Sequence, residues 1–558
     1  MTPVLSLSEQ VARKALEHYE LVLPNNKGKP RDTEWTVYCA LLAVVVAGRN
    51  TDGRMTTTLR NHDKIVRDIQ VVCCATGTKC TAERNDHGYI LHDSHAEVLV
   101  RRGLLRVLWK EIADKRQLRR STNNPPHESS HSVGELPQTF SLLEACENNE
   151  DEEDFSLRSD VELHLYISDS PCGDASIYPI EQLENSNREV KFTGAKLIVS
   201  HANGEIDSSV VPDSNFQTVG SKLLRQPPNN GMKEEVVVAR EDVQLLGKLR
   251  TKSGRSNLLE SQRSSSMSCS DKLVMWSVIG WQGAALSRYI VHPIRISHIV
   301  VSHDERASLH DKQASWDDQN SLVQHVALKR AIPDRVMAVK HELSRRELTL
   351  ASSRTPDGCT DSKNEACSCS GKGEENMLAA FASELHPPEV SIVKSLFARG
   401  KASAEASSSH KRKRDADTET QKIHCPTKLS PCGMSINWQI GDTPCTMELT
   451  IGTRGIRHGK KPKCEKDYIR LKSRLCRAAL IEAAKTTLNA TATSKRNVAM
   501  KETATCFAKK KYSLWKHEQA SPMFALVKKN VLQRGLLSGW LVGGGDFILD
   551  DDHNPKER

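Results

Sequence analysis

The sequence predicts an α/β fold in which a central sheet is flanked by helices. Residues 68–80, DIQVVCCATGTKC, contain a β-branched run that ends in glycine, which is typical of a buried strand that leaves through a turn. Residues 161–174, VELHLYISDSPCGD, alternate polar and apolar residues ahead of Ser-Pro-Cys, which predicts a second strand. Between them, residues 96–112 place apolar side chains close to a 3.6-residue period. We therefore expect a helix that begins near His95.

Other elements follow in chain order. A short helical pattern (Val11, Ala12, Leu16, Tyr19) precedes CALLAVVVAG at 39–48, which has the length of a core helix or strand. No run reaches the ~18 apolar residues that span a bilayer, so we expect a soluble protein with no membrane partner. Residues 118–155 are rich in Ser, Asn, Pro and His and end in an acidic run, which indicates an insertion. Residues 266–290, SMSCSDKLVMWSVIGWQGAALSRYI, predict a buried helix interrupted at Gly280.

The C-terminal half changes composition. From 348 to 425 it is rich in Ser, Ala, Glu, Lys and Thr, with few large apolar residues, which predicts a disordered insert. KRKR at 411–414 is either a nuclear-import signal or a basic patch in that insert. Strand character returns at 434–455, and basic helices follow. The expected organisation is thus residues 1–347, an insert at 348–425, and residues 426–558.

Bulk composition narrows the class of protein. The hydrophobic fraction is 38%, below the usual ~45 to 50%, which suggests a packed core diluted by unstructured polar sequence. The 79 Lys and Arg residues exceed the 70 Asp and Glu residues by +9, which suits a polyanionic partner if the charge is clustered. The sixteen cysteines have no regular spacing and no signal peptide precedes them, so we expect reduced thiols in a cytosolic or nuclear protein.

The stretch HDSHAEV at 92–98 is either a polar turn before a helix or the edge of a metal site. A zinc site needs three or four ligands from Cys and His, and His95 is one candidate. Cys172 is a second, because Ser170 can cap a helix there, Pro171 suits its first turn, and a helix N-terminus favours thiolate. Cys269 is a third. These candidates lie 77 and 97 residues apart, so spacing alone does not decide between the two interpretations.

The order of motifs adds a resemblance. His-Ala-Glu followed by Pro-Cys is the order in the zinc nucleobase deaminases, whose pattern is H-x-E…P-C-x-x-C. Here Ala175 stands where the second Cys of that pattern is expected. The ordered set GTKC, DSHAEVLVRRGLLR, LHLYISDSPCGD, LRTK and SMSCSDKLVMWSVIGWQG resembles the adenosine deaminases acting on RNA, strongly over about 70–290 and weakly over 430–545. The resemblance implies a cytidine-deaminase-like three-layer fold, with a central mixed sheet flanked by helices and a C-terminal extension.

The resemblance also implies a catalytic site. His95, Cys172 and Cys269 would bind Zn²⁺ and leave a fourth position for water, and Glu97 would act as general acid and base. Because residues two apart on a regular helix point about 200° away from each other, His95 and Glu97 can share a site only where the helix starts. Thr78 and Lys79 match a substrate-pocket loop of the family, although an ordinary strand-end turn is the alternative.

A buried inositol hexakisphosphate is the second implied cofactor. By motif position its ligands would be Arg101, Arg102, Lys272, Trp276, Gln282, Tyr512, Lys516 and Trp540. Lys252 of LRTK would relay between that pocket and the zinc. Core packing is the alternative for Trp276 and Trp540, and a solvated helix face is the alternative for Arg101 and Arg102. The C-terminal contacts depart from the family, which has charged residues after the Trp where this chain has GWLVGGGDF.

The reaction implied is hydrolytic deamination of adenosine to inosine. The sequence is most similar to the tRNA-editing branch, whose substrate is the adenosine immediately 3′ of the anticodon in tRNA-Ala, flipped out of its loop. Only some 70 residues precede GTKC, which leaves no room for double-stranded-RNA-binding modules. An editor of double-stranded RNA without such modules and a noncatalytic RNA-binding relative are the alternatives. We expect no obligatory protein partner, and Lys509, Lys510 and Lys511 either contact tRNA phosphates or are solvated.

Overall fold

A computed structural model of the chain describes residues 5–23, 28–47, 65–83, 87–123, 140–146, 154–178, 196–197, 216–219, 222–225, 234–235, 246–252, 259, 264–304, 322–352, 369–401, 403–404, 429–441, 447–489 and 510–541. Within these ranges no helix is both long enough and apolar enough to cross a bilayer.

The strands of the described residues are β1 (Glu34–Trp35), β2 (Tyr38–Val46), β3 (Val66–Thr76), β4 (Thr78–Cys80), β5 (Asp93–His95), β6 (Leu143–Ala145), β7 (Phe155–Leu157), β8 (Val161–Ile167), β9 (Lys196–Leu197), β10 (Phe216–Val219), β11 (Lys222–Arg225), β12 (Glu234–Glu235), β13 (Arg250–Thr251), β14 (His298–Ser302), β15 (Glu389–Val393), β16 (Ser430–Pro431), β17 (Met434–Gln439), β18 (Glu448–Ile451) and β19 (Ile456–Arg457). The helices are α1 (Leu7–Val22), α2 (Ala96–Asn123), α3 (Cys269–Ile279), α4 (Gly283–Leu286), α5 (Val323–Lys329), α6 (Arg335–Ser352), α7 (Cys369–Ser383), α8 (Glu465–Leu471), α9 (Arg477–Asn489), α10 (Tyr512–Glu518) and α11 (Pro522–Arg534).

Eight strands form one mixed sheet in the order β15-β14-β8-β2-β3-β17-β18-β19. β15, β14 and β8 are parallel, and every other neighbouring pair is antiparallel. Strands were expected at 68–80, 161–174 and 434–455, and β3, β8, β17 and β18, which overlap these stretches, all belong to this sheet. The apolar run at 39–48 forms β2, which lies at the centre of the sheet and is buried along most of its length. An uninterrupted apolar sequence is what a strand covered on both faces requires.

Helices cover both faces of this sheet. Alternate residues of β2 point to opposite sides, because the side-chain period of a strand is two. On one side Tyr38, Ala40 and Leu42 pack in a cluster with α1. On the other side Cys39 and Leu41 pack in the larger cluster that contains α2 and α3. The α/β architecture expected from the sequence is confirmed as three layers of helix, mixed sheet and helix.

The structure differs from the expected disordered insert over residues 369–401. There α7 forms, and β15 pairs in parallel with β14 at the edge of the main sheet. The reason is that the few large apolar residues of this stretch are spaced so that they enter the core; Phe381, Ile392 and Phe397 are each buried. Residues 353–368 and 405–428, with KRKR, lie outside the described residues. So do 124–139 and 147–153 of the insertion expected at 118–155, whose described part continues α2 and forms β6 and β7.

Candidate active site

His95 lies at the junction of a two-stranded ribbon and a helix. It is the last residue of β5, it is paired with Thr78 of β4, and α2 begins at the next residue. The expected helix start near His95 is therefore confirmed, and Glu97 is the second residue of that helix. Asp93 Oδ1 accepts the His95 backbone N–H at 3.0 Å and lies 2.9 Å from the imidazole Nδ1. This contact fixes the orientation of the ring as the helix starts.

Gly77 allows this ribbon to lie close to the main sheet. Its φ of 153° lies in the range that L side chains rarely adopt, and a Cβ atom at this position would lie 1.9 Å from the Ser94 carbonyl oxygen. Any larger residue would push β5 away. The glycine of GTKC is thus needed for the close approach that positions His95.

The two candidate thiols meet at the start of α3. Cys269 is the first residue of that helix, and the hydroxyl of Ser268 caps it by accepting the Asp271 N–H at 3.2 Å. The Cys269 backbone N–H donates to Cys172 Sγ at 3.4 Å. The side chains of Cys269 and His95 lie close enough to Cys172 to lower the pKa of its thiol. All three predicted ligands are therefore brought together, although 77 and 97 residues separate them in sequence.

The local structure around Cys172 differs from the sequence expectation. The helix there is a single 3-10 turn at Asp174–Ser176, and Gly173, with a φ of 109°, occupies its N-cap position. Ser170 does not cap it; its hydroxyl accepts a hydrogen bond from Gln324 Nε2 at 3.1 Å. The reason is that α3 already occupies this space: Ser270 Oγ accepts the Ala175 N–H at 3.1 Å.

The donor set suits a zinc ion. Two thiol sulfurs and an imidazole are the ligands that zinc prefers. The hydrogen bond from Cys269, aided by the charge of Lys252, holds the pKa of the Cys172 thiol well below its usual range, and thiolate is the form that binds metal. Glu97 is 3% exposed, and its Oε2 atom has no hydrogen-bond partner within the described part of the chain. A buried, unpartnered carboxylate oxygen beside three soft donors indicates a site built for a ligand.

Cys80 is a further candidate that the sequence analysis missed. Its Sγ lies 3.5 Å from His95 Nδ1. Together with Asp93 and His95 it forms a group whose potential ligand atoms all lie within 4.8 Å of one another. Its position follows from the register of the ribbon, in which Cys80 faces Asp93 and Thr78 faces His95.

Asp93 lies at the centre of a buried charge network. Its Oδ2 atom accepts hydrogen bonds from Lys252 Nζ at 2.8 Å, Lys272 Nζ at 2.5 Å and Ser266 Oγ at 2.6 Å. Burial acts to raise the pKa of this carboxyl, but the two ammonium groups hold it well below its usual range. Lys252 also donates to Cys269 Sγ at 3.0 Å, so the network reaches the candidate ligands.

A second cluster consists of cations from four helices. It comprises Arg101 and Arg102 of α2, Arg477 of α9, Lys516 of α10 and Lys528 of α11, all partly buried. Burial and the neighbouring arginines lower the pKa of Lys516 to about 7. Burial and the charge of Lys516 lower that of Lys528 to about 8. Such shifts arise where positive charges are gathered without enough negative charge to balance them.

The other residues expected in this pocket lie in several places. The guanidinium of Arg101 stacks 4.9 Å from the ring centre of Trp276, and its Nε has no hydrogen-bond partner among the described residues. Tyr512 lies within the cation cluster, with Arg477 5.5 Å from its ring centre. The amide oxygen of Gln282 accepts the Ile294 N–H at 2.9 Å. Trp540 is partly buried against the main apolar cluster. Lys272 donates to Asp93 and Ser266 on the side of the candidate zinc ligands.

The remaining predicted residues lie at the edge of the site. Thr78 and Lys79 belong to β4, and the side chain of Lys79 packs against Gly452, where a Cβ atom would lie 2.9 Å from Lys79 Cβ. Lys510 forms an ion pair with Glu518 at 2.9 Å. Lys511 precedes α10, and Lys509 lies outside the described residues.

Several known proteins are similar to this chain over about half of its length. A protein from Drosophila melanogaster named tRNA-specific adenosine deaminase 1 is 31% identical over 52% of this chain and 54% of its own length. The Homo sapiens protein of that name is 26% identical over 53% of this chain and 65% of its own length. Double-stranded RNA-specific editase B2 of Mus musculus is 28% identical over 42% of this chain and 25% of its own length. The matched region thus spans between about half and two thirds of the tRNA-specific relatives.

The family profile covers more of the chain. The adenosine-deaminase (editase) domain matches residues 73–372 and 388–542, which include every candidate zinc ligand and the cation cluster. This match extends over most of the sequence and includes β15, which lies in the stretch where a disordered insert was expected. The chain therefore belongs to the adenosine-deaminase (editase) domain family.

Proposed function

We propose that this protein catalyses the hydrolytic deamination of adenosine to inosine in RNA. The observation that supports this proposal most strongly is the unpartnered carboxylate oxygen of Glu97, buried beside His95, Cys172 and Cys269. Membership of the editase family and relatives named as adenosine deaminases support the same reaction. We assign His95, Cys172 and Cys269 as ligands of one zinc ion. Bound zinc supplies a Lewis acid, which makes water a nucleophile near neutral pH.

Glu97 moves the protons of the reaction. Its carboxylate accepts a proton from the attacking water, whose oxygen bonds to C6 of the purine, and donates this proton to the ring nitrogen. It then accepts the remaining hydroxyl proton and donates it to the amine, which leaves as ammonia when the C6–N bond breaks. Adenosine and water are thereby converted to inosine and ammonia. Burial raises the pKa of the Glu97 carboxyl, as suits a group that both accepts and donates protons. Its location on the first turn of α2 allows it to face the same space as His95.

The network around Asp93 positions the ligands. Lys252 donates to Cys269 Sγ at 3.0 Å and to Asp93 at 2.8 Å. Its ammonium acts to lower the pKa of the Cys269 thiol, which burial and the neighbouring Cys172 hold well above its usual range. Asp93 in turn orients His95. We assign Lys252 as the relay residue that connects the zinc ligands with Lys272. Both lysines form ion pairs with the same carboxylate, that of Asp93.

We propose that the cation cluster holds inositol hexakisphosphate. The partly buried guanidinium and ammonium groups fit a compact polyanion, because positive charges gathered in the interior are costly unless anions pair with them. Arg101, Arg102, Arg477, Lys516 and Lys528 would hold its phosphates, with Trp276 beneath Arg101 and Tyr512 at the side. Electrostatic coupling of Arg102 with Asp93 connects this pocket with the network that positions the zinc ligands.

We propose tRNA as the substrate, with the adenosine immediately 3′ of the anticodon in tRNA-Ala as the target. The names of the Drosophila and human relatives support tRNA. The similarity to editase B2 favours duplex RNA as the second candidate. In either RNA the target base has to leave its stack to reach Glu97, which costs less in a loop than in a duplex. We assign Thr78 and Lys79, on the strand that pairs with the His95 strand, to contact the flanking nucleotides.

The test compares the two RNAs directly. Purified protein is incubated with tRNA-Ala and with a duplex of matched length, and inosine is measured by digestion and mass spectrometry. Inosine at the position 3′ of the anticodon is the expected result. If inosine forms only in the duplex, duplex RNA replaces tRNA as the proposed substrate. If inosine forms in neither RNA, the proposed reaction is overturned.

A further inference from the structure

We infer that residues 452–474, here named the basic ridge, form a binding surface for the RNA phosphate backbone beside the active site. The ridge includes the turn between β18 and β19, the loop that follows and α8. Its 23 residues hold nine Lys and Arg residues against two acidic ones, a net charge of +7, whereas the whole chain has +9. The charge excess is therefore concentrated in one segment. This inference rests on the proposed RNA substrate.

The cations of the ridge are exposed and available. Lys460, Lys461, Lys463 and Lys466 are all exposed, and none of their ammonium groups has a hydrogen-bond or ion-pair partner among the residues that the structure describes. The guanidinium of Arg470 is 71% exposed, although it contacts Asp467 at 2.9 Å. A cluster of exposed lysines on one side of a protein is the electrostatic footprint expected of a phosphate-binding surface.

The ridge is held against the segment that carries the catalytic residues. The carbonyl oxygen of Gly455 accepts the N–H of Leu91, one residue before HDSHAEV, at 2.8 Å. Glu465 contacts His87 at 3.0 Å, and the hydroxyl of Tyr468 donates to Glu83 at 3.3 Å. Gly455, with a φ of 65°, cannot carry a side chain here, because a Cβ atom would lie 2.1 Å from the Leu91 carbonyl oxygen.

These contacts place the ridge on the substrate side of the ribbon. Gly452, at its first position, packs against Lys79, which we assign to the substrate loop. RNA that delivers an adenosine to Glu97 past Lys79 would therefore bring its neighbouring phosphates over the ridge. The ridge has one residue of the Phe, Tyr and Trp types, Tyr468, which is partly buried, so we infer that the contact is chiefly with the sugar-phosphate backbone.

Two adjoining hollows on the ridge have the size of ligand pockets. One, of about 410 Å³, is lined by Arg457, His458, Lys460, Arg470 and Leu471. The other, of about 400 Å³, shares Arg457 and Arg470 with it. It also contains Glu448 and Glu482, which form ion pairs with Arg457 and Lys472, respectively. Both carboxylates are therefore already paired with cations of the ridge, and the exposed lysines face solvent.

The experiment measures RNA binding without turnover. Lys460→Gln/Lys461→Gln is introduced into a Glu97→Gln background, and its affinity for tRNA is measured over a series of salt concentrations. The matched control is Arg13→Gln/Lys14→Gln on α1, where both side chains are exposed on the opposite face of the sheet. Melting temperatures verify that both variants are folded, and Lys460→Arg/Lys461→Arg restores the charge.

The expected result is roughly 10-fold or greater loss of tRNA affinity for the ridge variant, with a slope of log affinity against log salt that is smaller by about 2. The control and the Arg variant retain the parent affinity. A ridge variant that binds like the control overturns the inference, even if wild-type protein forms inosine. Conversely, tRNA binding could prove to depend on the ridge while the wild-type protein deaminates no RNA. That result would refute the proposed reaction and support the ridge as a binding surface.

Discussion

At the scale of single residues, Asp93 determines how the candidate ligands are held. It contacts the imidazole of His95 through one oxygen, and Lys252, Lys272 and Ser266 through the other. Asp93 is only 8% exposed, so water could not replace the negative charge if the carboxylate were removed. Two ammonium groups would then share one site without a counter-charge.

We expect Asp93→Asn to lower the free energy of unfolding by ~3–5 kcal/mol, the usual effect of removing one partner from a buried ion pair. Urea unfolding measures this change. Asp114→Asn on α2 is the matched control, because its partner pair with Lys110 is exposed and such pairs contribute ~0–1 kcal/mol. Equal effects of the two substitutions would show that the network around Asp93 does not stabilise the protein.

Sequence patterns identified residues whose chemistry is tied to a motif. His95, Glu97, Cys172 and Cys269 could be named because their types and order match a known arrangement. Asp93 stands within HDSHAEV and Cys80 within GTKC, yet neither could be assigned a contact. Their contacts depend on the register of a three-residue ribbon and on a lysine 159 residues away in sequence, neither of which leaves a local pattern.

At the scale of elements, the cation cluster joins α2, α9, α10 and α11. Its pKa shifts predict how polyanion binding depends on pH. Without a polyanion, Lys516 loses its proton above about pH 7 and Lys528 above about pH 8. A bound polyanion favours the protonated forms, so binding takes up protons in this range and weakens as pH rises.

The measurement is the rise in melting temperature that inositol hexakisphosphate produces at about pH 6.5 and about pH 9. The rise should be larger at the lower pH in wild-type protein. In Lys516→Met/Lys528→Met this difference should shrink, which separates the lysines from the ionisation of the phosphates themselves. An equal pH dependence in the two proteins would exclude these lysines as ligands.

Elements with strong periodicity were predicted well. The start of α2, the break at Gly280 and the strands β3, β8 and β17 agree with the sequence patterns. The prediction failed at Cys172, where a single 3-10 turn replaces the expected helix, and at 369–401, where composition suggested disorder. In both places neighbouring elements decide the outcome: α3 hydrogen-bonds to the turn, and β14 pairs with β15.

At the scale of the whole molecule, the mixed sheet and its helices bring three distant segments into one site. The α/β class followed from sequence, but the order of strands did not. β2 lies between β8 and β3, and β17 joins the sheet from more than 350 residues after β3 begins. Arg477 and Lys528 were missed for the same reason, since they reach the cation cluster only through the packing of C-terminal helices onto α2.

The central claim is that Glu97 moves protons at a zinc site built from His95, Cys172 and Cys269. Glu97→Gln preserves the size of the side chain, removes its basicity and leaves all three ligands intact. Zinc content and inosine formation in tRNA-Ala are measured on the same preparations of wild-type protein, Glu97→Gln and the control Asp114→Asn. We predict about one zinc per chain in all three, with inosine formation reduced ~100- to 10,000-fold in Glu97→Gln alone. Wild-type protein without zinc, or a Glu97→Gln variant that deaminates at the wild-type rate, would contradict this account.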